Sequence, residues 1–126
     1  MATMCTRAEL VLRFTLNAIC DDYENLTVSI EGPVKRDGKD CGLEIEREEI
    51  IGALEELIRR GWAKAYYLGP KTAEIDGMPP LDKLEGHWGA WFYVTAEGMK
   101  IQRWDWEFWP FDEDEQLRKD WTPPAN

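Results

Sequence analysis

A single histidine stands in this 126-residue chain, and that scarcity leaves little for acid–base catalysis or metal binding. His87 has Asp82 and Glu85 near it in sequence, but no nucleophile or ligand set accompanies them. It reads as a surface loop residue. Cysteine is sparse too. Cys5, Cys20 and Cys41 are odd in number and irregularly spaced, with no CxxC and no Cys/His zinc pattern. They read as reduced thiols of a cytoplasmic protein. GxGxxG, GxxxxGK, GxSxG and HExxH are all absent from the sequence, and with them the phosphate cradles, nucleophile elbow and zinc helix that they build. Carboxylates are plentiful, yet abundance is not a pair held at catalytic separation. The expectation is a non-enzymatic chain with no cofactor and no metal.

Long apolar runs are missing as well. No stretch approaches the roughly 20 residues of a spanning helix, so no membrane association is expected. The opening MATMCTRAELVLRFTLNAIC is apolar, but Glu9 and Arg13 interrupt it and no small-residue cleavage site follows, so it reads as structure. Positive charge is also short: 15 Lys and Arg stand against 25 Asp and Glu, for a net charge of −10. That balance favours solubility and opposes loose association with nucleic acid or anionic lipid. With 44% hydrophobic residues the chain still carries enough apolar material for a core. One domain over 1–110 and an acidic tail over 111–126, with Trp121 as an anchor, is the expected organisation.

What is present is organised around Glu44 to Gly61. On a helical period Ile50, Ile51, Ala53, Leu54, Leu57 and Ile58 form one apolar arc, opposite Glu48, Glu49, Gly52, Glu55, Glu56, Arg59 and Arg60. Glu55–Arg59 and Glu56–Arg60 have i,i+4 spacing in the favourable order. Gly61 suits the left-handed position after a helix end, whereas Glu46 is a poor capping residue for its start. Thr6 to Cys20 is another helix, with Thr6 and Glu9 at capping-box spacing. It is apolar nearly all round, which demands cover on every side. A third helix follows Thr95 and stops at Pro110, with Ile101, Trp104 and Phe108 on one face. Strands are expected at Trp62–Leu68 and Trp91–Val94, the second burying either Trp91 and Tyr93 or Phe92 and Val94. The long connection 69–89 has room for one helical turn at PLDKLEG. Between Asp21 and Asp40 the local signals accept either a helix or a strand up to Ile30, then a turn at Gly32-Pro33. Lys35, Arg36 and Lys39 fall after it in a solvated loop.

The helix ending Leu54-x-x-Leu57-x-x-Arg60-Gly61, the hairpin after it and the run Tyr93-Val94-Thr95-x-x-Gly98 together resemble the winged-helix domain of small bacterial transcription regulators. The likeness spans Arg47 to Trp104 and is nearest to the types that respond to antibiotics and phenolic acids. It implies an α+β fold of three to four helices with a two- or three-stranded antiparallel wing hairpin. It tips Glu24–Ile30 towards a short helix. The resemblance also implies that the helix over 46–60 reads DNA, that 62–94 forms the wing, and that helices outside the wing dimerise.

Charge opposes the DNA reading. Four carboxylates face two arginines on the exposed side of the helix, and the arginines sit at its C-terminal end, where helix-turn-helix readers make fewer base contacts. If DNA is bound, the candidate contacts are Arg47, Arg59, Arg60, Lys64 and Lys71. The reading preferred on charge is a homodimeric winged-helix module that works through contacts with a protein partner or as a diverged regulator-like protein; the alternative is a sequence-specific DNA-binding regulator. Six of the seven tryptophans lie from Trp88 onward, and tryptophan is enriched at contact hot spots. Leu12, Leu16, Trp104, Trp106 and Trp109 are the candidate interface.

Overall fold

The computed structural model describes residues 6–86, 88–104 and 109–124, with the backbone alone for Arg103 and Trp104. His87 and Trp106 therefore lie outside the described residues, as does the side chain of Trp104. Among the described residues the fold is α+β, with four α-helices and one four-stranded antiparallel sheet.

Helix α1 (Arg7–Ala18) starts where expected, because the Thr6 hydroxyl accepts the Glu9 N–H at 3.1 Å. Leu10, Val11, Leu12, Phe14, Thr15 and Leu16 are all buried, and Ile19 beyond its end joins them. The cover on this all-round apolar helix comes from α2 (Glu31–Asp40), α3 (Arg47–Arg59) and α4 (Ala96–Trp104) of the same chain.

The stretch that local signals left open resolves into three pieces. Glu24–Asn25 is a short strand, β1, and Leu26–Ile30 is a π-helical turn that runs directly into α2. Asn25 decides this. Its buried amide oxygen accepts from the Thr27 and Val28 N–H groups, and its Nδ2 donates to the carbonyls of Gly86 at 2.9 Å and Ala90 at 3.1 Å. One side chain thus caps the turn and pins the far loop. The turn expected at Gly32-Pro33 does not form. Pro33 falls in the first turn of α2, where a missing N–H is tolerated, and Lys35, Arg36 and Lys39 lie on a helix rather than in a loop.

α3 matches its amphipathic pattern: Ile50, Ala53, Leu54 and Leu57 are buried, while Glu48, Gly52, Glu55 and Arg59 are exposed. Its start is secured by the Glu49 carboxylate, which accepts the Glu46 N–H at 2.8 Å. Its end is a Schellman closure, with the Trp62 N–H reaching the Leu57 carbonyl at 2.9 Å and Gly61 at φ +77°. The chain then enters β2 (Ala63–Tyr67), turns into β3 (Ala73–Ile75), crosses a 3₁₀ turn at Leu81–Lys83 and returns as β4 (Ala90–Val94). The sheet order is β1-β4-β2-β3. Ala63, Ala65, Ala90, Phe92 and Val94 point into the core, so Phe92 and Val94 are the inward pair of β4. Beyond Pro110 the tail doubles back through a Phe111–Leu117 bridge, and the Trp121 indole donates to the Cys41 carbonyl at 3.3 Å.

Two glycines make opposite predictions. A Cβ on Gly98 in α4 would lie 2.2 Å from the Trp62 carbonyl oxygen, a backbone atom with nowhere to go. A Cβ on Gly52 would meet nothing within 4 Å. Gly98→Ala should therefore lower unfolding free energy by about 1–3 kcal/mol, as overpacking does. Gly52→Ala should raise it by about 0.5–1 kcal/mol through helix propensity alone. Urea denaturation of both variants checks the pair of signs.

Candidate interaction surface

Four of the five candidate DNA contacts are already engaged in ion pairs. Arg47 at the start of α3 bonds Glu31 at 2.7 Å and also Glu85 across the loop. Arg60 bonds Glu56 at 2.7 Å and Glu9 of α1 at 2.9 Å. Arg59 grips the same Glu56 through Nε at 2.7 Å. The sequence pattern pairs Glu55 with Arg59 and Glu56 with Arg60; the second pair forms, and Arg59 bonds Glu56 as well. Lys64 in β2 bonds Glu74 in β3 at 3.1 Å. Of the candidate DNA contacts, Lys71 alone has no ion pair among the described residues. It sits exposed in the turn from β2 to β3.

These pairs reset the carboxylates. Hydrogen bonds from Arg59 and then Arg60 hold Glu56 down at about 2. Arg7, bonded to Glu49 at 2.7 Å, keeps that carboxyl below its usual range. Lys35 first and Arg47 second do the same for Glu31. Asp37 moves the other way, pushed up by burial.

Between α1 and α3 lies an open groove of about 680 Å³. Ala8, Val11, Leu12, Gly52 and Ala53 line it, and the Arg7–Glu49 and Arg60–Glu9 pairs stand at its rim. The pairs bridge the two helices, so the rim is part of what holds them together. Nothing in the groove points to one occupant.

The candidate interface divides. Leu12 and Leu16 are 2% and 0% exposed within the single chain, so the cover assigned to a second subunit is supplied by the chain itself. Trp109 packs edge-on against Phe14 at 5.4 Å and against Phe111 at 6.2 Å, and so serves the joint between α1 and the tail. The Trp104 side chain and Trp106 are outside the described residues.

A different aromatic surface emerges on the sheet. Cross-strand partners share a face, and the register pairs Tyr66 with Trp91 and with Glu74, and Lys64 with Tyr93. All of these point away from the core-facing alanines, Phe92 and Val94. Tyr23, just before β1, joins the group. Its ring is edge-to-face with Tyr66 at 5.2 Å and with Tyr93 at 4.8 Å. The three tyrosines and Trp91 are half-buried, and Trp88, two residues before β4, is 83% exposed. The Tyr66 hydroxyl is held above its usual range by burial first, then by Glu74 and Tyr23. The alternation in AKAYY and AWFYV carried the signal for Tyr66, Trp91 and Tyr93. Tyr23 belongs to no regular element, so periodicity could not place it.

No group of three or more His, Cys, Asp or Glu residues suited to a metal occurs among the described residues, and no helix among them is long and apolar enough to cross a membrane. No protein-family model matches the chain, and no curated protein and no solved structure shows significant similarity to it.

The shifted carboxylates set the pH dependence. Glu56, Glu49 and Glu31 have depressed folded-state values, so their stabilisation is present above the unfolded value of 4.5 and is lost as pH falls through the folded values. Asp37 works against them, since a raised carboxyl favours the folded state at low pH. Asp120, depressed by its bond from Arg118, joins those three, and with four groups against one the thermal midpoint should be level around neutrality and drop below about pH 4.5, continuing towards about pH 2. Differential scanning calorimetry of the wild type and Glu56→Gln checks this. The variant should start lower at neutral pH and show a shallower acid limb.

Proposed function

We propose that this chain is a non-enzymatic winged-helix module that acts through protein contacts. The chain order supports the architecture: the helix pair α2–α3 is followed by antiparallel β2 and β4, with the β2–β3 hairpin extending where a wing would be. α3 then occupies the position of the helix that reads DNA in regulators of this kind. Its entry carries Glu44, Glu46 and Glu48, all exposed, and its arginines close ion pairs within the chain. A phosphate would have to compete with those carboxylates for every arginine on the helix.

The observation that carries the protein-contact reading is the aromatic face of the sheet. Tyr23, Tyr66, Trp91 and Tyr93 form a contiguous half-exposed surface built on paired strands. Rigid aromatic side chains of this kind supply contact area at low entropic cost. A homodimer through Leu12 and Leu16 forms no part of this reading, because both are core residues.

Duplex DNA is the competing partner, and the salt titration separates the two. A regulator that neutralises about six to ten phosphates loses about 10³–10⁵-fold in affinity between roughly 50 and 200 mM salt. This chain should show no appreciable binding to labelled mixed-sequence duplex at physiological salt, and no such slope. Sub-micromolar binding with a steep slope, weakened by Arg59→Ala and Lys71→Ala, would restore the DNA-binding assignment. Those two residues suit the test because Arg47 and Arg60 also tie elements together, and replacing them would confuse binding with folding.

A further inference from the structure

The outer sheet face has a charge pattern as well as a shape. Glu74 shares a cross-strand row with Tyr66, and Glu97 acts electrostatically on Lys64 beside it. Asp21 and Asp22, both exposed, lead directly into Tyr23. Against these four carboxylates the face itself offers Lys64, which Glu74 already holds. The rings present negative π faces, and the chain as a whole carries −10.

We propose that this face receives a basic polypeptide segment, an arginine- or lysine-bearing stretch of a partner protein whose cations lie over Tyr23, Tyr66 and Tyr93 within the acidic rim. The inference rests on the protein-contact reading and names the chemistry of the partner. A cation over a tyrosine ring is attracted by the ring quadrupole, and a neighbouring carboxylate adds to the same pull. The chain uses this interaction internally: the guanidinium groups of Arg13 and Arg60 lie 5.6 and 5.0 Å from the Trp62 ring. A purely apolar partner would bury the carboxylates without compensation, which is costly. An acidic partner or a nucleic acid would be repelled.

The test uses the full chain with three labelled probes: a short peptide alternating arginine and serine, a matched glutamate–serine peptide, and a neutral tyrosine–serine peptide. Fluorescence anisotropy should show binding of the arginine probe alone, weakening as salt rises. Tyr66→Ala and Tyr93→Ala, each verified as folded by circular dichroism, should weaken it about tenfold, the equivalent of roughly 1.4 kcal/mol. Glu74→Gln should weaken it too while leaving the rings in place. Arginine-peptide binding that ignores both tyrosine substitutions would be diffuse attraction to an acidic chain and would overturn the proposal. Absence of binding would overturn it as well. If the neutral peptide binds in a Tyr66-dependent way and the arginine peptide does not, the basic partner is wrong and the protein-contact reading stands.

Discussion

Trp62 is the joint on which the rest of this structure depends. Its N–H closes the end of α3 on Leu57, and its carbonyl accepts the Thr95 N–H at 2.9 Å. Gly98 approaches that carbonyl so closely that no side chain fits between α4 and the α3–β2 corner. Its ring takes the guanidinium groups of both Arg13 on α1 and Arg60 at the end of α3, at 5.6 and 5.0 Å from its centroid. The Thr95 hydroxyl adds a bond to the Gly61 carbonyl at 2.6 Å while capping α4 through the Gly98 N–H. Four elements therefore meet at one residue, and the backbone groups left over at one helix end are taken up by the start of another. The position of β2, and with it the sheet, follows from this corner.

The charged residues repeat that logic. Arg7 joins α1 to α3 through Glu49, Arg60 joins α3 to α1 through Glu9, and Arg47 joins α3 to α2 through Glu31. Partly exposed pairs of this kind contribute little singly, but these link elements far apart in sequence and orient α1 against α3. An acidic chain can thus carry arginines on a helix without offering them to a phosphate. The same residues cannot both fix the α1–α3 packing and move to a ligand without loosening the fold, which ties the electrostatics of the surface to the architecture beneath it.

Much of the fold was legible because it rests on periodicity. The buried face of α3, its end at Gly61, the Thr6 and Thr95 caps and the two main strands all follow from local pattern and capping chemistry. The region 24–40 was not legible, because Asn25 organises it through carbonyls at Gly86 and Ala90, about sixty residues away in sequence. Leu12 and Leu16, expected at a subunit interface, are core residues of the single chain. An all-round apolar helix does require cover, but periodicity cannot say whether the cover belongs to the same chain. Here α2, α3 and α4 supply it. The inter-element pairs Arg7–Glu49, Arg47–Glu31 and Arg60–Glu9 were equally hidden, since local spacing offers partners within α3 only, and of those the Glu56–Arg60 pair forms.

The aromatic face follows from the same asymmetry. The core lies on the side of the sheet that carries Ala63, Ala65, Phe92 and Val94, where the small alanines allow close approach and Phe92 fills the space between. Strand geometry then sends the alternate residues to the opposite side. On a sheet with one solvated face those positions are ordinarily polar, and Lys64 and Glu74 obey that rule. Tyr66, Trp91 and Tyr93 do not. They add area where the core gains little from it; Tyr66 and Tyr93 pack edge-on against Tyr23, and all four side chains stay partly exposed. A surface that departs from the polar rule on a well-paired pair of strands, inside a fringe of carboxylates, is the feature on which the proposed protein contact rests.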